Sequence, residues 1–200
     1  MKLKKDFFNS VADSWDEMCN HDMKKVEYIL DLVDIQAGSR ILDVGTGTGI
    51  LIPSLYKRVT GSGKIKAVDM AEKMIEVARK KNSFENVVFE CKDILKKDND
   101  EEYYDYIICY SMFPHFHCKE EAVEKLSRKL KSGGKLTICH SQSREAINKL
   151  HKRVDDTVKE DNLPEMEKLE QYFSESGLEV VEQVDNEDMF VVIGSRQLRM

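Results

Sequence analysis

The sequence feature that most constrains the fold is a short apolar strand that leads directly into a glycine-rich turn and then into a helix. The stretch reads ILDVGTGTGI over residues 41–50, and Leu51, Ile52 and Leu55 continue it at helical spacing. Glycines let the chain turn sharply and let a ligand approach the peptide plane closely. The start of the helix directs backbone N–H groups and a positive dipole end at the same place. We therefore expect the turn to bind a ligand, with a purely structural tight turn as the alternative.

Apolar runs alternate with segments of helical spacing along most of the chain, which is typical of βαβ units. Five runs are short and rich in Ile, Val and aromatic residues, as expected of strands buried on both faces. They are residues 40–44, 64–69, 87–91, 104–110 and 135–140. The helix before the fifth run is expected to end at Gly133 and Gly134. Two last runs, 178–184 and 189–195, are separated by four residues, which favours an antiparallel hairpin over a crossover.

Two helices are predicted before the first strand. The first has its apolar residues on one face, and these are Phe8, Val11, Trp15 and Met18. The second begins after Asp22, a residue type suited to an N-cap. Because 200 residues with 41% apolar content suffice for one core, we expect a single domain over 1–200, with an N-terminal helical cap over 1–36.

Charge and cysteine usage exclude several function classes. The chain has 31 basic and 37 acidic residues, a net charge of −6, and no basic patch interleaved with aromatics. This balance argues against a nucleic-acid or anionic-membrane binder. The chain has no run of 18 apolar residues, so no membrane span is predicted. The basic residues at its start are not followed by the apolar segment of a signal peptide. Five cysteines without a C-x-x-C pair favour a reduced, cytoplasmic protein.

The spacing of the glycines decides between two kinds of ligand. Dinucleotide-binding turns read G-x-G-x-x-G, but here Ile50 occupies the position of the third glycine and the pattern is G-x-G-x-G. The acidic Asp43, two residues before the first glycine, would repel a pyrophosphate and would suit an ammonium group. The sequence therefore disfavours a nicotinamide dinucleotide and favours a cationic ligand.

From about residue 40 to its end, the chain resembles the class I S-adenosylmethionine-dependent methyltransferases. Asp43-x-Gly45-x-Gly47-x-Gly49 looks like their first motif, and residues 130–136 (LKSGGKL) look like their turn into the fifth strand. The resemblance implies a Rossmann-like, seven-stranded, mostly parallel sheet with the last strand antiparallel and helices on both faces. It also implies S-adenosylmethionine as the methyl donor and S-adenosylhomocysteine as the product.

The same resemblance implies which residues contact the donor. Asp43 would help to hold its amino-acid part, Asp69 would accept from both ribose hydroxyls, and Asp93 would accept from the adenine amine. The implied set is Asp43, Gly45, Thr46, Gly47, Gly49, Asp69, Met70, Met74, Asp93, Ile94, Ser111 and Trp15.

The N-terminal stretch FFNSVADSWD, residues 7–16, looks like the opening of the branch that includes the ubiquinone and menaquinone biosynthesis methyltransferases. In that branch an aromatic residue lies near the position of Trp15, and the segment closes over the donor as a lid. Simple packing of an amphipathic helix on the core is the alternative.

Polar side chains are expected to gather at the carboxyl ends of the strands, where open α/β sheets bind substrates. The candidates for catalysis are His140, His115, Arg144 and His151. One histidine could act as the general base, with Arg144 binding an anionic part of the substrate. Alternatively, the histidines could bind a divalent metal, or they could be ordinary polar residues on loops.

The sequence thus predicts an S-adenosylmethionine-dependent methyltransferase that acts on an O, N or C nucleophile of a small-molecule acceptor. A non-catalytic or metal-binding protein on the same fold is one alternative, and a metal-assisted methyltransferase is another. An RNA or protein methyltransferase is disfavoured by the acidic balance. We expect no nucleic-acid partner and no membrane span. The sequence is compatible with a homodimer.

Overall fold

The computed structural model describes residues 2–19, 21–96 and 99–197. Seven strands form one sheet. They are β1 (Arg40–Val44), β2 (Lys64–Asp69), β3 (Val87–Cys91), β4 (Tyr104–Tyr110), β5 (Leu130–His140), β6 (Leu178–Asp185) and β7 (Phe190–Arg196). Their order in the sheet is β3-β2-β1-β4-β5-β7-β6. The pairs from β3 to β5 are parallel, whereas β7 is antiparallel to both β5 and β6.

The helices lie before the sheet and between its strands. They are α1 (Lys2–Val11), α2 (Trp15–Met18), α3 (Met23–Val33), α4 (Ile52–Val59), α5 (Glu72–Lys81), α6 (Lys119–Lys129), α7 (Arg144–Val154) and α8 (Met166–Glu175). Short 3-10 turns occupy Ala12–Ser14 and Phe113–His115. The side chain of Asp22 caps α3, because its carboxylate accepts from the backbone N–H groups of Lys24 and Lys25.

Two apolar layers cover the two faces of the sheet, since successive strand residues point to opposite sides. On β1, Leu42 and Val44 belong to one layer and Ile41 to the other. Helices α6 and α8 contribute to the first layer, and α3, α4 and α5 contribute to the second. The predicted doubly covered sheet with a reversed last strand is confirmed. In the described part of the chain, no helix combines the length and apolar character that crossing a bilayer requires.

The fifth strand differs from its prediction. It begins at Leu130, directly after α6, where Leu130 pairs with Tyr104. The register then shifts between Tyr104 and Tyr106. Gly133 has φ +77°, and a Cβ on Gly134 would crowd the backbone oxygens of its neighbours. These two glycines therefore do not end the helix; they form an irregularity within a strand.

The N-terminal segment is also more broken than its apolar spacing suggests. The single helix predicted through Met18 divides into α1, a 3-10 turn and α2. Ala12 in the turn is buried against Ala71 and Met74. The tight turn brings its small side chain close to these two residues. Met18 is exposed and not on a buried face.

Helix α7 buries only part of its apolar side. Ile147 is buried, whereas Leu150 and Val154 are 46% and 45% exposed. The helix therefore lies at the rim of the molecule, and its inner side supplies polar groups to the region beside the sheet edge.

Candidate functional site

A cleft opens at the carboxyl ends of β1, β2 and β4, under the N-terminal segment. It contains about 1140 Å³ of empty space, part of it open to solvent. The glycine-rich turn after β1 and the segment after β4 both line the cleft. Phe8 and Trp15 lie over it with their rings in an edge-to-face contact, 5.6 Å between centroids. The cleft thus occupies the position at which parallel sheets of this kind bind ligands.

The three glycines of the turn all have a left-handed backbone conformation, and a side chain at each position would meet different surroundings. Gly45, Gly47 and Gly49 have φ of +66°, +53° and +82°. A Cβ on Gly45 would collide with Met112, and one on Gly49 would collide with Asn82. A Cβ on Gly47 would meet no atom closer than Trp15 Nε1, at 3.8 Å. Because Gly47 lines the cleft, its missing side chain leaves space for a ligand to approach the backbone.

Two carboxyl groups lie beneath this turn, of which Asp43 is buried and Asp69 is half-buried. The Thr46 hydroxyl donates to Asp43 over 2.6 Å, and Asp69 accepts from the backbone N–H groups of Gly47 and Ala71 at 3.0 and 2.8 Å. Burial raises the pKa of Asp43 to about 7, against the lowering effect of Thr46. Burial also raises the pKa of Asp69. Such a pair favours a ligand that brings hydrogen-bond donors or positive charge.

The other residues predicted to contact the donor lie around the same cleft. Eleven of the twelve line it, namely Asp43, Gly45, Thr46, Gly47, Asp69, Met70, Met74, Asp93, Ile94, Ser111 and Trp15. The twelfth, Gly49, is outside the lining and packs against Asn82, whose side-chain amide lies 3.4 Å from the Gly49 carbonyl. Its role in this structure is close packing of the turn on the end of α5.

Asp16 fastens the N-terminal segment to the glycine-rich turn. Its carboxylate accepts from the Thr48 hydroxyl at 2.6 Å and pairs with Lys81. A second attachment joins α1 to α5, where Lys5 pairs with Glu72 at 2.8 Å. These contacts hold Trp15 over the cleft.

One polar network on the cleft wall was not predicted from the sequence. The Tyr110 hydroxyl lies 2.8 Å from His21 Nδ1 and 2.8 Å from Ser141 Oγ. Burial raises the pKa of Tyr110 to about 12 and lowers the pKa of His21. Both groups are therefore neutral at neutral pH, and the network is one of neutral hydrogen bonds. Tyr110 was predicted only as a strand residue, and its position at the very end of β4 was the available signal.

A second network surrounds His115, which lines the cleft after β4. His115 Nδ1 lies 2.7 Å from Asp161 Oδ2, and Lys4 forms an ion pair with Asp161 Oδ1. Burial would raise the pKa of Asp161, but the hydrogen bonds from His115 and Lys4 hold it below its usual range. An ionised carboxylate accepts, so His115 Nδ1 carries a proton in this contact, and Nε2 is the ring nitrogen turned away from Asp161.

The remaining predicted catalytic residues lie outside the cleft lining. His151 Nδ1 lies 2.7 Å from the Asp161 carbonyl, and the rings of His151 and His115 are 5.1 Å apart. Arg144 pairs with Glu165 at 2.6 Å and with Asp185 at 3.0 Å. A substrate anion would have to compete with these two carboxylates for Arg144.

His140 is the most deeply buried of the candidates, at 1% exposure. Neither ring nitrogen has a hydrogen-bond partner among the residues that the structure describes. Burial, reinforced by His151 and His115, lowers the pKa of His140 to about 3. His140 is therefore a neutral imidazole in the folded protein.

The described residues also include no group of three or more His, Cys, Asp or Glu side chains arranged to hold a metal ion.

Comparisons with known proteins agree with this arrangement. A family model described as a methyltransferase domain matches residues 35–188. The malonyl-[acyl-carrier protein] O-methyltransferase of Acetivibrio thermocellus is 36% identical over 139 residues, which cover 68% of this chain and 48% of that protein. The ubiquinone biosynthesis O-methyltransferase of Neisseria meningitidis serogroup C is 33% identical over 119 residues, covering 54% and 49%. The aligned part of the chain thus spans about half the length of each relative.

Among solved structures, a chain of the complex between the Haloferax volcanii Trm112 methyltransferase activator and a methyltransferase superposes with a TM-score of 0.83. It is 18% identical, and the match covers 98% of both chains. At that identity the likeness concerns the fold.

The burial of His140 predicts a pH dependence of stability. The pKa of His140 in the folded protein lies below its ordinary 6.5, so the unfolded chain binds more protons between these values and stability falls as the pH drops through 6.5. Lowering the pH from 7 to 5 should reduce the unfolding free energy of wild type by ~2 kcal/mol relative to that of His140→Leu. Urea unfolding at both pH values measures it.

The matched control is His117→Leu, which removes an exposed imidazole from the segment after β4. Its difference from wild type should change little between the two pH values. A His140→Leu difference that is equally independent of pH would contradict the assignment of His140 as a buried neutral group.

Proposed function

The chain belongs to the class I S-adenosylmethionine-dependent methyltransferases, and on that premise we propose that it transfers a methyl group from S-adenosylmethionine to a hydroxyl oxygen of a small-molecule acceptor. The observation that carries the proposal is the pair of carboxyl groups, Asp43 buried and Asp69 half-buried, beneath the open backbone of Gly47, all lining one cleft. This arrangement suits a ligand that is cationic at one end and carries vicinal hydroxyls at the other.

The chain's own residues fit the donor. Asp69 accepts two backbone N–H bonds and retains acceptor capacity for ribose hydroxyls, since a carboxylate offers about four lone-pair positions. Asp43 would approach the ammonium end, and a cation beside it would favour the ionised carboxylate. Met70, Met74 and Ile94 supply an apolar surface for the adenine.

When bound, S-adenosylmethionine supplies a methyl carbon that is already electrophilic, so the protein's part is mainly alignment and exclusion of water. The acceptor oxygen would take this methyl group, and sulfur would keep the electron pair of the carbon–sulfur bond. The acceptor proton then needs a base. We assign this role to His115, because Asp161 holds its Nδ1 proton and leaves Nε2 free to accept.

The other predicted catalytic residues receive different roles. His151 contacts the backbone carbonyl of Asp161 and so helps to position that residue. His140 is a buried, neutral ring. Tyr110, with His21 and Ser141, presents a hydroxyl on the opposite side of the cleft that can orient the acceptor. Two relatives are named as O-methyltransferases, which supports an oxygen nucleophile over nitrogen or carbon.

Gly47→Ala tests the donor site. The added methyl group would project into the space where the donor approaches the backbone, so we expect at least a ~10-fold loss of S-adenosylmethionine affinity by calorimetry. Gly38→Ala is the matched control, because Gly38 is equally left-handed at φ +81° but lies outside the cleft lining. Both variants should lose stability, and equal donor affinities in the two would argue against the proposed site.

His115→Gln tests the base. We expect turnover to fall by ~10²–10⁴-fold with donor affinity preserved, measured as S-adenosylhomocysteine formation on a panel of phenols. The exposed His117, two residues away, provides the control variant His117→Gln. Turnover by His115→Gln at the wild-type level would remove His115 from the chemistry.

A further inference from the structure

Lys4 on α1 contacts the same carboxylate as His115. Its Nζ pairs with Asp161 Oδ1, while His115 Nδ1 lies 2.7 Å from Oδ2, so each carboxylate oxygen has one partner. Lys4 Nζ also donates to the backbone carbonyl of His115 at 3.1 Å. The Asp161 side chain is 9% exposed and that of Lys4 is 23% exposed, so water screens this set of charges only partly.

We propose that Lys4 is a positioning residue through which the N-terminal helix α1 sets the protonation state of His115. With α1 seated on the cleft, the ammonium group offsets the negative charge of Asp161, which would otherwise favour a second proton on His115. The bearing of this on catalysis rests on the proposed function, whereas the electrostatic coupling itself does not.

The sign of the effect follows from the charges. A carboxylate beside a lone imidazole favours the imidazolium, because opposite charges attract. Lys4 adds a positive charge on the same carboxylate and beside the same residue, which disfavours a second positive charge on His115. Without Lys4, Asp161 would stabilise the protonated ring, which cannot act as a base.

Groups from every neighbouring element act on His115. Those that favour its protonation are Asp161, in the segment after α7, and Asp69 at the end of β2, which has an electrostatic interaction with His115. Those that oppose protonation are Lys4 on α1 and any positive charge on His151 of α7 or His140 of β5, while Lys119 on α6 interacts with Asp161 and Lys4. Burial lowers the pKa of both histidines, so they are neutral at neutral pH.

Of the two lysines in this set, Lys4 is the one that the N-terminal cap carries, whereas Lys119 belongs to a helix packed on the sheet. Displacement of α1 would therefore remove one particular charge from Asp161 and leave the rest in place. Seating of the cap would then do two things at once, since it covers the cleft with Phe8 and Trp15 and places the Lys4 ammonium group on Asp161.

Lys4→Met tests the coupling in the whole protein without donor or acceptor. The chain has five histidines, so long-range ¹H–¹⁵N correlation spectra can follow each imidazole through a pH titration, and His115→Gln identifies the His115 signals. We expect Lys4→Met to move the His115 titration midpoint upward by about one pH unit, and Lys4→Arg to restore it. Because no turnover is measured, failure of the proposed function would leave this result unaffected.

Lys5→Met is the matched control. It removes the same charge from the next position of α1, where Lys5 pairs with the exposed Glu72 and not with Asp161. The single tryptophan, Trp15, reports independently whether the cap stays seated, through its fluorescence emission. An unchanged His115 midpoint in Lys4→Met, an equal shift in Lys5→Met, or a shift that appears only with a red-shifted Trp15 emission would each overturn the proposal.

Discussion

The placement of two carboxyl groups, Asp43 buried and Asp69 half-buried, under one backbone turn is the constraint on which the site depends. Their partial or complete removal from water is costly, and the cost is offset by the Thr46 hydroxyl and the N–H groups of Gly47 and Ala71. The Gly47 N–H reaches Asp69 from within the left-handed turn, whereas the Ala71 N–H lies two residues after Asp69. The cleft that these residues line under the N-terminal segment follows from that geometry.

Local patterns were sufficient to predict the scaffold and to bring together the residues that we propose to bind the donor. The strand–turn–helix around Gly45, the run at 64–69 and the hairpin near residue 186 each carry their signal within about ten residues. Their carboxyl ends must then meet at one edge of a parallel sheet, so Asp43, Asp69 and Asp93 could be brought together from sequence. The early start of β5 was not predicted, because a pair of glycines such as Gly133 and Gly134 is compatible both with the end of a helix and with an irregularity in a strand.

The acceptor side could not be predicted in the same way, because its contacts join distant parts of the chain. Asp161 lies 46 residues from His115 and 157 residues from Lys4, and no motif marks it. Tyr110 contacts His21 across 89 residues. The histidine spacing suggested a cluster, but only tertiary packing distinguishes the buried His140 from the cleft-lining His115.

The most direct test of the account is calorimetric titration of S-adenosylmethionine into wild type, Asp69→Ala and the surface control Asp188→Ala. The account predicts one donor site in wild type, and a loss of ~1–3 kcal/mol of binding free energy in Asp69→Ala because a charged acceptor of the ribose is gone. The exposed Asp188 pairs with Lys25, so its variant should bind like wild type. Absence of binding in wild type, or equal affinity in Asp69→Ala, would contradict the assignment of the cleft as the donor site.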